Sequence, residues 1–126
     1  MSLRTRIGAK IVLSAALLTS GASFAQTYDG IWTMNASGDF ALFLRQSGSM
    51  LLFTANQFST GEWDAFVGPF TSPTTVTFST LYSSGCMYEG TVSFHSATTG
   101  TATITQAAGA DCAIPQGTVT AISKLL

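Results

Sequence analysis

Between residues 28 and 125, clusters of Gly, Ser, Asn, Thr and Pro recur roughly every 10 to 12 residues, and the stretches between them alternate apolar and polar side chains. That rhythm leaves room for short strands and none for long helices. Tyr28 to Met34 reads as a first strand, ended by Asn35-Ala36-Ser37-Gly38. In the second, Phe40, Leu42 and Leu44 share one face, with Ala41, Phe43 and Arg45 on the other. Ser47-Gly48-Ser49 marks a tight hairpin. Met50 to Phe58 is apolar on both faces around Leu51, Leu52 and Phe53, so one side is expected to meet the core and the other some cover. Trp63, Ala65 and Val67 form one face of a fourth strand, which Gly68-Pro69 through Pro73 is expected to break. Val76 and Phe78 alternate with Thr75, Thr77 and Ser79 in a fifth. Tyr88, Gly90, Val92 and Phe94 share a face of the sixth, and Ala102, Ile104 and Gln106 belong to the seventh. A loop from Ala107 to Gln116 precedes a last strand, opened by Gly117 and running to about Leu125. Eight short strands at near-equal spacing predict an all-β fold, either an antiparallel up-and-down barrel of about eight strands or a tight sandwich. The barrel has the advantage that closure removes the exposed sheet edges.

Composition supports strands over disorder. Charged residues are 9% of the chain, where an ordinary domain has about 25%. Disordered chains are charged and poor in aromatics, whereas Thr, Val and Phe fit a pleated surface. The charges are also unevenly placed. Arg4, Arg6 and Lys10 precede an apolar run from Ile11 to Leu18 and small residues ending in Ser23-Phe24-Ala25. This reads as a signal peptide over residues 1–25, cleaved after Ala25, with export to a periplasm or out of the cell. The apolar run is far shorter than the roughly 20 residues a spanning helix needs, and no later stretch comes closer, so no membrane span is expected after cleavage. Residues 26–126 then form a single domain with two basic side chains, Arg45 and Lys124, and six acidic ones, a formal charge of about −4. Nucleic acid is not expected as a partner, because phosphate contacts need clustered Lys and Arg.

Cys86 and Cys112 are the two cysteines, and both lie after the leader, where an exported protein meets an oxidising compartment. They lack the C-x-x-C spacing of redox-active pairs, so a structural disulfide is expected. Closing a loop of about 27 residues is worth roughly 3–4 kcal/mol in the chain-entropy model.

Gly30-Ile31-Trp32 falls in the first strand. It resembles the G-x-W signature of small secreted calycin-type barrels, which include the lipocalins, the avidins and the periplasmic protease-inhibitor barrels. The resemblance covers these three residues and the strand count. It implies that Trp32 is structural and closes one end of a barrel beside a basic residue late in the chain, a part Lys124 is placed to play. The domain length is similar to that of the avidins and inhibitors.

Glu62 and Asp64 flank Trp63 two residues apart. Carboxylates beside an indole could hold a sugar ring or a cationic group, or act as acid and base; alternatively Trp63 packs in the core with Ala65 and Val67. Phe43, Phe53 and Phe66 stand opposite the main alternation of their strands, and would line a lumen or form an exposed patch. Glu89 is expected at the surface. His95 is the only histidine, so no metal site is expected. No cofactor motif and no nucleophile motif is present. The sequence therefore points to a non-enzymatic binding protein, with Glu62, Trp63, Asp64, Phe43 and Phe53 as candidate contacts for a small apolar ligand or a protein partner. Two other readings stand beside it. One is an inhibitor or accessory factor of an exported enzyme, acting through residues 68–73 or 107–116. The other is a secreted hydrolase using the carboxylates near Trp63. A lumen of about 300 Å³ or more would favour a small ligand, and a filled core a protein partner.

Overall fold

A computed structural model describes residues 27–126. The leader, with its expected cleavage after Ala25, lies outside the described residues. Eight strands follow in order: β1 (Gly30–Met34), β2 (Ser37–Ser47), β3 (Met50–Gln57), β4 (Trp63–Ser72), β5 (Thr75–Tyr82), β6 (Cys86–Phe94), β7 (Thr99–Gly109) and β8 (Val119–Lys124). Each pairs antiparallel with the next, and β8 returns to β1 through Trp32 opposite Lys124, Thr33 opposite Ser123 and Met34 opposite Ile122. The sheet is a closed barrel, which decides against the sandwich.

Alternation sets the inner wall. Val76 and Phe78 of β5 are buried, as are Cys86, Tyr88, Val92 and Phe94 of β6 and Leu42 and Leu44 of β2. Leu51 and Phe53 point inward from β3, while Leu52 between them is 40% exposed. No cover lies over that outer side among the described residues. Phe53, Phe66 and Phe78 form the mid-barrel core, with ring centroids 4.8, 5.1 and 5.5 Å apart. Gly90 is opposite Phe78 in register, and a Cβ there would meet the Phe78 ring at 2.7 Å. The missing side chain makes room for the ring, a small-for-large exchange typical of narrow barrels.

Three expectations are corrected. The fourth strand does not break at Gly68-Pro69, because β4 runs on to Ser72. Pro69 falls between the bridged pairs Val67–Ser79 and Phe70–Val76, where no bridge to β5 needs its missing N–H. The inner face of β4 is Asp64, Phe66, Gly68 and Phe70, so Trp63, Ala65 and Val67 point outward and Trp63 is not a core residue. Residues 65–70 carry no charge on either face, and period alone could not choose between them. The seventh strand extends to Gly109, paired with Cys86 at its end, so residues 107–109 are not loop.

The two ends of the barrel differ. One carries the β2–β3, β4–β5 and β6–β7 turns together with both ends of the described chain. There Tyr28 stacks on Phe94 at 3.7 Å, Trp32 meets Phe94 edge-on at 5.4 Å, and Phe70 lies 6.1 Å from Tyr28. The Trp32 Nε1–H donates to the Tyr28 carbonyl at 2.9 Å, which satisfies the one polar group of a fully buried indole. Ile31 N–H donates to Leu126 O, and Leu125 N–H to Ile31 O, lashing the C-terminus across this end. Gly30 has φ 143°, and a Cβ on it would overlap the Leu126 carbonyl and come within 2.7 Å of Lys124 Cε. Only glycine fits there.

Candidate functional site

The opposite end carries the β1–β2, β3–β4, β5–β6 and β7–β8 connections, and here the lumen is not filled. A cavity of about 100 Å³ runs inward from it. Leu44, Leu51, Phe53, Phe66, Phe78 and Val92 line its deeper part. Tyr28, Trp32, Phe70 and Phe94 do not line it, so the cavity is blind and those four rings form the plug beyond its floor.

The mouth is polar and is held by side-chain hydrogen bonds. Asp39, at the start of β2, fixes the β3–β4 connection: its Oδ2 accepts from Ser59 Oγ at 2.5 Å and Gln57 Nε2 at 3.1 Å, and its Oδ1 from Ser59 N at 2.9 Å. The Ser59 hydroxyl bond is the main reason its carboxyl titrates below the ordinary aspartate value of 3.8; desolvation opposes this, and the Gln57 and Ser59 backbone bonds reinforce it. Asp64, 9% exposed, receives both the amide and the hydroxyl of Ser84 on Oδ1, at 2.9 and 2.6 Å, and so shapes the β5–β6 turn. Its Oδ2 has no hydrogen bond among the described residues.

The β7–β8 connection, residues 110–118, arches over the mouth. Cys112 is bonded to Cys86 at the start of β6, as the sequence led us to expect. Tyr88 reaches up from the inner wall, and its hydroxyl accepts the Ile114 N–H at 3.1 Å. These two ties bring Asp111, Ala113 and Ile114 to the cavity lining.

Of the residues selected from sequence, Asp64 and Phe53 line this cavity from the inner face, and Glu62 and outward-facing Trp63 border it only at the rim, where β4 begins. Trp63 is 46% exposed at the rim and stacks on Tyr82 at 4.6 Å. Phe43 does not join them. It is 49% exposed on the outer wall, whereas Phe53 and Phe66, grouped with it by pattern, are buried inside. The reason is register: inward Leu44 pairs with inward Phe53, so neighbouring Phe43 must face out. Trp32 and Lys124 lie at the plugged end, opposite one another in register. Glu89 is exposed, and His95, also exposed, shares a 2.7 Å hydrogen bond with Thr101 Oγ1. Asp111, Ile114 and Ser84 were not singled out from sequence. Asp111 had one available signal, its place beside a bridged cysteine.

Among the described residues, no group of three or more His, Cys, Asp or Glu side chains is placed to hold a metal ion. No helix among them is long and apolar enough to cross a membrane. No family model, no curated protein and no solved structure matches the chain.

Proposed function

We propose that this chain is an exported, non-catalytic binding barrel of the calycin type, which takes a small apolar group through its open end into the lumen. The observation that carries the reading is the blind apolar cavity, open at one end and backed by an aromatic plug at the other. The G-x-W strand, the buried Trp32 and the eight-strand closure support the calycin assignment. Size limits the guest. At about 100 Å³ the lumen falls short of the about 300 Å³ expected of a pocket that encloses a small ligand whole, but it is not filled either, and it is near the roughly 150 Å³ of an apolar cavity that accepts benzene. The lumen therefore suits a short alkyl or small aromatic group, with the rest of the ligand at the mouth.

Xenon tests this, because it reports apolar space without needing a ligand's polar groups. Under xenon pressure, methyl resonances of Leu42, Ile104 and Ile122 should shift saturably, and Ala102→Leu, which fills the lumen, should suppress the shift. Shifts that stay linear in pressure, or that persist unchanged in the filled variant, would remove the lumen as a binding site. A second reading, a protein partner on the outer wall, is favoured by the exposure of Phe43 and Leu52 on adjacent strands.

A further inference from the structure

Charge is segregated along the barrel axis. Among the described residues the basic side chains are Arg45 and Lys124, and both belong to the plugged end. Arg45 there faces Asp29 at 3.6 Å. Four of the six acidic residues, Asp39, Glu62, Asp64 and Asp111, sit at the open end instead. Three of these, Glu62, Asp64 and Asp111, line the cavity, where no Lys, Arg or His accompanies them. A single-sign rim over a low-dielectric cleft focuses its potential on whatever enters.

Two further observations point the same way. Asp64 is nine-tenths buried and lines the cavity, and its Oδ1 takes both bonds from Ser84, so Oδ2 is the oxygen left for a guest. On the outer side of the same rim, Trp63 stacks on Tyr82, an exposed aromatic surface that attracts cations through the ring quadrupole as they approach the mouth. An anionic ligand would meet like charge at the rim, and a neutral one would lack the ion-pair attraction of an ammonium.

We infer that the open end selects a small organic cation: an ammonium group a few bonds from an apolar group, with the apolar part in the lumen and the ammonium at Asp64, Glu62 and Asp111. The inference rests on the lumen reading above and adds the ligand's chemical class. Ser84 keeps Asp64 in place without consuming its second oxygen. The β7–β8 arch, tied by the Cys86–Cys112 bond, brings Asp111 to the same rim.

The test compares three probes with the same chain of about four carbons, a length suited to so small a lumen: butylammonium, 1-butanol and butyrate, titrated calorimetrically into the unaltered protein at low and at high salt. Butylammonium should bind about tenfold more tightly than butanol at low salt, and the margin should shrink as salt screens the rim. Butyrate should bind most weakly. Asp64→Asn keeps an oxygen for both Ser84 bonds, so it should bring the ammonium-to-butanol affinity ratio most of the way to one. Should that variant fail to fold, the double variant Glu62→Gln, Asp111→Asn provides the same comparison. Equal affinity for butanol and butylammonium, or tighter butyrate, would overturn the cation inference and leave the lumen reading standing. Binding of none of the three would overturn the lumen reading, and the cation inference with it.

Discussion

At one end of this barrel four aromatic rings exclude everything else; at the other, carboxylates and hydroxyls hold the connections apart and leave a hole. The same eight strands build both, so the difference lies in which side chains the inner face presents as it nears each rim. Tyr28, Trp32, Phe70 and Phe94 seal the first by stacking and edge contacts. Asp39, Asp64 and Tyr88 brace the second by hydrogen bonds to Ser59, Ser84 and Ile114, which position backbone without filling space. A barrel this small needs a packed core to fold, and here the rings that close the lumen stand at one end, which leaves the cavity at the other.

The tryptophans offer the sharpest way to break the comparison. Trp32→Ala should cost about 3–5 kcal/mol, since it empties a fully buried site. Trp63→Ala should cost within about 1 kcal/mol, since half the indole is already in water. Urea denaturation of the two variants measures both, and equal costs would mean that the two ends are not built differently. Next in size is the disulfide. Replacing Cys86 and Cys112 together by Ser should cost about 2–4 kcal/mol. Amide exchange should then rise more in residues 110–118 than in residues 28–34, and a uniform rise would show that the bond does not serve the open end in particular.

Titration separates the ends in opposite directions. The Asp39 carboxyl has a depressed pKa in the folded protein, so its contribution is present above the unfolded value and is lost as pH falls through the folded one. Protection of the Ser59 amide relative to its intrinsic exchange rate should therefore fall as pH drops below the ordinary aspartate value, and Asp39→Asn should abolish that acid response. Tyr28 is the reverse case: burial raises its pKa, so its contribution is intact below the unfolded value and is lost as pH rises. Above about pH 10 the plug should loosen first, seen as growing acrylamide quenching of Trp32. Loosening of both ends by acid and alkali alike would contradict the division. The smallest effect expected is at Phe43. Phe43→Ser should change stability by no more than about 0.5 kcal/mol, because the ring lies on the outer wall.

The sequence made the strand count, the disulfide and the inner faces of β5 and β6 readable, because apolar and polar side chains alternate there without conflict. Three features were hidden for physical reasons. Residues 65–70 carry no charge on either face, so register against β3, which no local pattern encodes, decided that Phe66 points in and Trp63 out. Gly68-Pro69 resembles a turn, and only the missing bridge to β5 lets the strand pass through it. The contribution of Asp111 to the mouth depends on a covalent bond between residues 26 positions apart. Glu62, Trp63 and Asp64 stood out in the sequence because they combine charge and an aromatic at a strand opening, and the structure places all three at the cavity mouth. The apolar depth behind them emerges only when the barrel closes.

The most direct test of a sealed end and a receptive end is to see where a guest rests. With isotope-labelled protein and unlabelled 1-butanol, filtered nuclear Overhauser contacts from the butanol methyl should reach Phe53, Phe66, Phe78 and Ile104, and should be absent at Tyr28, Phe70 and Phe94. Contacts to the rings of the plug, or to the outer residues Phe43 and Leu52 in place of the lumen, would contradict the account.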